Sequence, residues 1–179
     1  MSNNIVVLTG SARPNGNSDR LAQAFTEGAK DCGKKVTVFK AAELQIAGCL
    51  GCEHCFDNEG DCIQKDDMAE ILIALKEADA LVLVSPVYYF TISAQLKAAL
   101  DRTYALLKVK TPVKKAALLL ACADETEDVA EGAILTFQNI CKYSKWQNAG
   151  IVVATGVGDI GEINGRKELD QAKILGQEI

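Results

Sequence analysis

The segment at residues 5–18, IVVLTGSARPNGNS, runs from an apolar strand to the start of a helix. Its first four residues are apolar without interruption, which is typical of a strand covered on both faces of a parallel sheet. Residues 10–18 are rich in small, hydroxyl and amide side chains and include one arginine. We expect this loop to lie at the carboxyl end of its strand, where open α/β sheets bind ligands.

The same strand and helix pattern recurs along the chain. Short apolar strands are predicted at 5–8, 36–39, 81–84, 116–122 and 151–154, each followed by apolar residues at helical spacing. Alternation of this kind predicts an α/β fold with a doubly wound parallel sheet. We expect residues 1–179 to form one domain with a cysteine-rich insertion at about 40–66. Ser18 is the expected N-cap of the first helix, and Asp66 and Asp67 cap the helix after the insertion.

The composition excludes several classes of protein. Of 179 residues, 49% are hydrophobic and 24% charged, which is enough apolar material for a globular core. The net charge of −5 disfavours binding to nucleic acid, which requires a basic surface. No apolar run reaches the roughly 20 residues of a membrane span. The first residues lack the regions of a signal peptide, so we expect a cytoplasmic protein with no membrane partner.

The loop at residues 10–18 has the features of an anion site. Backbone N–H groups at a helix N-terminus attract anions, and Ser11, Arg13 and Ser18 add hydroxyl and guanidinium donors. The loop has neither the nucleoside-triphosphate P-loop pattern nor the dinucleotide pattern Gly-x-Gly-x-x-Gly. We therefore expect it to hold one phosphate group.

Two motifs resemble those of a known family. Residues 10–18 read Gly-Ser-x-Arg-x-x-Gly-Asn-Ser, and residues 85–89 read Ser-Pro-Val-Tyr-Tyr, followed by Lys97 and Asp101-Arg102. Both resemble the flavin loops of the NADPH-dependent FMN reductase branch of the flavodoxin-like proteins. The resemblance implies a flavodoxin-like three-layer sandwich with a five-stranded parallel sheet of order 2-1-3-4-5. It also implies bound FMN, NAD(P)H as electron donor, and a homodimer or homotetramer.

The resemblance assigns roles to individual residues. It implies that the FMN phosphate is held by Ser11, Arg13, Asn17 and Ser18, and that the isoalloxazine is lined by Pro86, Val87, Tyr88 and Tyr89. The glycine-rich loop beginning Thr155-Gly156 either borders the flavin or is a flexible turn. The pair Asp101-Arg102 is expected to be a structural ion pair.

Four of the seven cysteines are clustered in the insertion, at Cys49, Cys52, Cys55 and Cys62. This spacing is compatible with a [4Fe–4S] cluster, with zinc on four thiolates, or with a loop of free or disulfide-bonded thiols. It resembles the compact cysteine motif of the iron–sulfur flavoproteins, a sub-branch of the same family. The remaining three, Cys32, Cys122 and Cys141, are expected to be buried or incidental.

Three functions agree with these motifs. The first is a flavin oxidoreductase that takes hydride from NAD(P)H and passes electrons to a quinone, a flavin, a metal ion or a protein. The second is an iron–sulfur flavoprotein that carries electrons and is fed by ferredoxin. The third is a regulatory module without turnover. The first requires no side-chain acid or base, because the flavin supplies the chemistry.

Overall fold

The computed structural model describes residues 4–107, 109 and 111–179, so the first three residues of the chain lie outside it. The strands are β1 (Asn4–Thr9), β2 (Lys35–Lys40), β3 (Ala80–Tyr88), β4 (Thr91–Ile92), β5 (Lys115–Ala121) and β6 (Gln147–Ala154). The α-helices are α1 (Asn17–Asp31), α2 (His54–Asp57), α3 (Met68–Lys76), α4 (Ala94–Arg102), α5 (Glu131–Ser144) and α6 (Lys167–Glu178). Two 3₁₀-helices span Thr103–Leu107 and Glu127–Ala130.

The five longer strands form a parallel sheet of order β2-β1-β3-β5-β6. The two-residue strand β4 pairs antiparallel with the end of β3 and lies off this path. With β4 set aside, the order is the flavodoxin-like 2-1-3-4-5 that the motifs predict, so the predicted fold class is confirmed. The strand order reverses between β1 and β3, which places a ligand crevice at their carboxyl ends.

Helices cover both faces of the sheet. On one face, α1 and α6 contribute Leu21, Phe25 and Leu175 to a core with the strands. On the other face, residues of α3, α4 and α5 pack against the alternate strand side chains. The predicted three layers are therefore present. Among the described residues, no helix has the length and apolar composition needed to cross a membrane.

The start of α1 differs from the prediction, whereas α3 has Asp67 as its N-cap residue, as expected. Helix α1 begins at Asn17 with Gly16 as its N-cap residue, so Ser18 lies in the first turn and is not the cap. Helix α3 begins at Met68, whose N–H donates to the Asp66 carboxylate at 3.2 Å. The Asp67 carboxylate instead accepts the N–H of Gln45 at 2.7 Å and ties the cysteine insertion to the helix start.

Candidate functional site

Loops at the carboxyl ends of β1, β3, β5 and β6 enclose a cavity of about 220 Å³, here called the strand-end cavity. Predicted cofactor residues that line it are Ser11, Arg13, Asn17, Ser18, Pro86, Val87 and Tyr88. The glycine-rich loop after β6 contributes Val157, Gly158 and Ile160, and the cavity is also lined by Gly16, Ala121 and Ala123, which were not among the residues assigned to the site. Their position at or just after the ends of predicted strands could have identified these residues, because the carboxyl ends of parallel strands meet at one edge of the sheet.

The loop after β1 is folded into a compact turn that leads directly into α1. The Ser11 hydroxyl accepts the N–H of Arg13 and contacts its carbonyl oxygen, both at 3.1 Å. The Gly16 N–H also donates to the Arg13 carbonyl, at 3.1 Å. The first N–H groups of a helix have no acceptor within it. The turn therefore places the N–H groups at the start of α1 beside the cavity.

Asn17 has a different role from the predicted one. Its side-chain NH₂ donates to the carbonyls of Val157 and Asp159, at 3.0 and 2.9 Å. Its Oδ1 accepts the N–H groups of Gly161 and Ile163, at 3.2 and 3.4 Å. The side chain thus joins the loop after β1 to the loop after β6 and has no donor left for a phosphate. Only the backbone N–H of Asn17 is available for the predicted contact.

Arg13 connects the same two loops from the solvent side. One of its terminal nitrogens donates to the carbonyl of Gly158 at 3.0 Å. The Glu162 carboxylate accepts the N–H groups of Gly158 and Asp159, at 2.7 and 2.9 Å, and holds that loop in place. A guanidinium has five N–H donors, so Arg13 retains several that can reach an anion in the cavity.

The aromatic residues after β3 form a hairpin turn. Tyr89 and Phe90 have φ angles of 50° and 69° between the paired residues Tyr88 and Thr91. Two successive positive φ values are the requirement of a two-residue type I′ turn, which glycine and asparagine normally satisfy. Tyr88 lines the cavity, whereas Tyr89 is 95% exposed at the hairpin tip. The prediction that Tyr89 lines the flavin site is therefore not supported by its position.

Ser85 anchors the base of this hairpin. Its buried hydroxyl accepts the N–H of Ser93 at 2.9 Å and donates to the Pro86 carbonyl at 2.7 Å. Ser93 in turn caps α4 by accepting the N–H of Leu96. The segment Pro86–Tyr88 is consequently held at a fixed position along one wall of the cavity.

The first two residues of the loop after β6 also have other partners. The Thr155 carbonyl accepts a hydrogen bond from Arg166 at 2.7 Å, and the Gly156 N–H donates to the Asp124 carbonyl at 2.6 Å. Neither residue lines the strand-end cavity. The loop does border the cavity, but through the later residues Val157, Gly158 and Ile160.

The four clustered cysteines line a second cavity of about 240 Å³, here called the cysteine cavity. Its wall is completed by Arg102 and Tyr104, and it has no lining residue in common with the strand-end cavity. Burial raises the pKa of the Cys55 thiol, and the proximity of the other three thiols raises it further. The fold thus brings together the cysteines that the spacing singles out.

The thiols do not converge on one point. In the part of the chain that the structure describes, no three His, Cys, Asp or Glu side chains are arranged to hold a single metal ion. Zinc on four thiolates requires every sulfur to lie about 2.3 Å from one ion. In a four-iron cluster each cysteine binds its own iron, so the sulfurs stand further apart.

Arg102 fastens the insertion to the core. It forms a buried ion pair with Asp66 and donates to the carbonyls of Ala47 and Gln64, at 3.3 and 3.5 Å. Burial opposes ionisation of Asp66, but hydrogen bonds from Arg102 and the Ala47 N–H outweigh it and lower the pKa of that carboxyl. Arg102 does not pair with Asp101 as expected, because Asp101 binds Lys97 at 2.7 Å on the exposed side of α4.

The other three cysteines lie away from this cavity. Cys122 and Cys141 are buried, and Cys32 is exposed near the end of α1. Burial raises the pKa of the Cys141 thiol to about 11, so this thiol stays protonated and unreactive at neutral pH.

Relatives and structures similar to the chain were found by comparison with known proteins. An iron-sulfur flavoprotein of Methanocaldococcus jannaschii is 37% identical over 99 residues, which cover 55% of this chain and 51% of that protein. An iron-sulfur flavoprotein of Methanosarcina thermophila is 35% identical over 110 residues, which cover 62% of this chain and 57% of that protein. The chain spans about half the length of the curated relatives it matches.

Solved structures match over nearly the whole chain. An NAD(P)H:quinone oxidoreductase from Methanothermobacter marburgensis has a TM-score of 0.79 at 21% identity, covering 99% of this chain and 96% of its own. An azoreductase from Bacillus anthracis has a TM-score of 0.75 at 18% identity, and the match covers 98% of this chain and 99% of the azoreductase. These likenesses establish the fold. The family model for NADPH-dependent FMN reductases matches residues 3–158, and the chain therefore belongs to the NADPH-dependent FMN reductase family.

Proposed function

We propose that this protein is an FMN-dependent oxidoreductase that accepts hydride from NAD(P)H and passes electrons to a quinone, flavin, metal or protein acceptor. The observation that carries the proposal is the strand-end cavity, which is lined both by the turn after β1, with its N–H, hydroxyl and guanidinium donors, and by the hairpin segment 86–88. FMN is a phosphate joined to a planar ring system by a polyol chain. A molecule of this kind needs a phosphate site and a flat apolar wall in one cavity.

The residues present fit the phosphate end. The first N–H groups of α1 belong to Asn17, Ser18 and Asp19, and the helix dipole favours negative charge beside them. Ser18 lines the cavity from the first turn of the helix and is only 2% exposed. Arg13 adds a charge-assisted donor from the rim, and Ser11 shapes the turn.

The ring end would be held by Pro86, Val87 and Tyr88. Bound FMN supplies the hydride and electron chemistry, and the protein supplies binding, orientation and electrostatics. The cross-links made by Asn17 and Arg13 fix the distance between the phosphate turn and the loop after β6. We assign no side chain to acid or base catalysis.

We further propose that residues 1–179 form a single FMN-binding domain, that the protein is cytoplasmic, and that it assembles as a homodimer or homotetramer. The exposed aromatic tip formed by Tyr89 and Phe90 supports an interface near the cavity. Neither nucleic acid nor a membrane is proposed as a partner.

A second function is favoured by the cysteine cavity. Four thiols in one cavity and curated relatives described as iron-sulfur flavoproteins support a [4Fe–4S] cluster held by Cys49, Cys52, Cys55 and Cys62. With such a cluster the protein would carry single electrons and could be fed by ferredoxin in place of NAD(P)H.

Absorbance of anaerobically purified protein tests both functions. Flavin bands are expected for the FMN site, and a broad iron–sulfur shoulder for the cysteine cavity. Anaerobic addition of NADPH or NADH should bleach the flavin bands within seconds if the protein is a reductase. Bleaching only by reduced ferredoxin would instead favour the electron carrier. Protein that binds no FMN on reconstitution would contradict both.

A further inference from the structure

Arg102 is the most completely buried charged side chain at the cysteine cavity. Its side chain is 1% exposed, and it lies at the last residue of α4, where the guanidinium lines the cavity wall. One terminal nitrogen binds Asp66 and Ala47, and the other binds Gln64. The Cys62 sulfur lies beside the same guanidinium and helps to keep it charged.

The third nitrogen of this guanidinium differs from the other two. Nε of Arg102 is buried and makes no hydrogen bond of regular geometry within the described residues, and the Cys62 side chain is the sulfur acceptor beside the guanidinium. A buried donor on a charged group is destabilising when it has no acceptor, because it has lost its hydrogen bonds to water. Such a donor is expected to have an acceptor in the working protein, and the cavity that Arg102 lines is where one can be placed.

The carboxylate partner does not cancel the charge inside the cavity. Asp66 lies between Arg102 and the backbone N–H groups of Ala47 and Met68, and it does not line the cavity. Arg102 does line it, together with the four cysteines. The charged lining of the cavity therefore consists of Arg102 and Glu53, and Arg102 is the cation fixed beside the four cysteines that become anionic as ligands.

We propose that Arg102 is a positioning residue for the iron–sulfur cluster, donating N–H···S hydrogen bonds to the cluster or its Cys62 ligand and raising its reduction potential. This inference rests on the proposed cluster and goes beyond it by assigning a residue that binds no iron. Reduction adds one electron to the cluster and breaks no bond. The added negative charge is stabilised by a nearby cation and by hydrogen bonds to sulfur, which are known determinants of cluster potential.

Two variants of the same ion pair separate this role from a structural one. Arg102→Gln removes the cation and keeps a polar side chain, whereas Asp66→Asn removes the anion and leaves the cation. Each breaks the ion pair, so a purely structural role predicts that both lower iron content and leave the potential of the remaining clusters unchanged. The electrostatic role predicts potential shifts of opposite sign.

The experiment measures iron and sulfide per chain, FMN per chain and the cluster potential by anaerobic spectroscopic titration of reconstituted protein. For Arg102→Gln we expect at least a tenfold lower ratio of reduced to oxidised cluster at a fixed potential, which corresponds to about 59 mV for one electron. Asp66→Asn should raise the ratio of reduced to oxidised cluster. Arg102→Lys keeps the positive charge, so it should shift the cluster potential less than Arg102→Gln does.

Lys97→Met is the matched control, because it removes a cation from the exposed side of the same helix and should leave the potential unchanged. Equal potentials in wild type and Arg102→Gln, or shifts of the same sign in Arg102→Gln and Asp66→Asn, would overturn the inference while leaving the cluster in place. Wild-type protein that binds no iron on anaerobic reconstitution would overturn both the cluster and the role of Arg102. Retained FMN in every variant shows that the fold is intact.

Discussion

The strand-end cavity and the cysteine cavity are of similar volume but are built in different ways. The first is formed by short loops at the ends of four parallel strands. The second is formed by a long insertion whose only regular element is the four-residue helix α2. Long-range hydrogen bonds from Asn17 and Arg13 fix the loops of the first. The second is held by the buried ion pair Arg102–Asp66 and by the hydrogen bond from the Gln45 N–H to Asp67.

This difference indicates that the two sites can be lost separately. The strand-end cavity is part of the sheet's own topology, so its disruption should affect folding. The insertion is attached to α4 and to the start of α3, so it can change without disturbing the sheet. We expect the sites to behave as independent units, and the following experiments test this from the largest effect to the smallest.

The largest effect is expected from the cysteines. Replacing Cys52 by Ser should remove most of the iron, which is about four atoms per chain in a [4Fe–4S] centre. FMN content should not change, because the strand-end cavity has no lining residue in common with the cysteine cavity. Iron analysis and flavin absorbance of the same anaerobic sample give both quantities. Cys32→Ser, outside the cavity, is the control, and loss of FMN together with iron would show that the sites are coupled.

The next effect concerns stability. Asn17→Ala removes a buried side chain with four hydrogen bonds that join the loops after β1 and β6. At about 0.5–1.5 kcal/mol for each bond, the free energy of unfolding should fall by roughly 2–6 kcal/mol. Denaturant unfolding monitored by circular dichroism measures it. Arg20→Ala, on the exposed side of the same helix, should change stability little. Unchanged stability in Asn17→Ala would contradict the cross-linking role.

A smaller and more local effect is expected at the phosphate turn. Arg13→Ala should weaken FMN binding by on the order of 1.5–3 kcal/mol, the value of a charge-assisted hydrogen bond. The combined Ser11→Ala and Ser18→Ala variant should also weaken it. Fluorescence titration of apoprotein with FMN measures the affinity, and Cys52→Ser should bind FMN as the wild type does. Wild-type affinity in the Arg13 and serine variants would show that the phosphate lies elsewhere.

The smallest effect is expected at the hairpin and separates neighbouring residues. Tyr88 lines the strand-end cavity, and Tyr89 points away from it at the tip. Tyr88→Ala should therefore change the flavin spectrum and lower its affinity, whereas Tyr89→Ala should leave both near wild type in the isolated protomer. An altered spectrum in Tyr89→Ala that depends on protein concentration would place this ring at a flavin in another copy of the chain.

The sequence alone determined the fold class and which loops meet at the strand-end cavity. Buried parallel strands are apolar throughout, and their carboxyl ends must meet at one edge whatever the loops contain. This is why Ser11, Arg13, Ser18 and Pro86 could be assigned to one cavity from local motifs. The spacing of the four cysteines was likewise visible in a single segment, and the structure brings them together.

Only the tertiary structure decided which polar groups bond to which. Asn17 was expected to hold phosphate, but its side chain bonds to a loop some 140 residues away in sequence. Arg102 was expected to pair with its neighbour Asp101, but it turns inward to Asp66 because successive residues of a helix point in different directions. Tyr89 was expected to line the flavin, but the pairing of β3 with β4 places it at the tip of a hairpin. Side-chain partners depend on packing between distant segments, and no local pattern in the sequence records that packing.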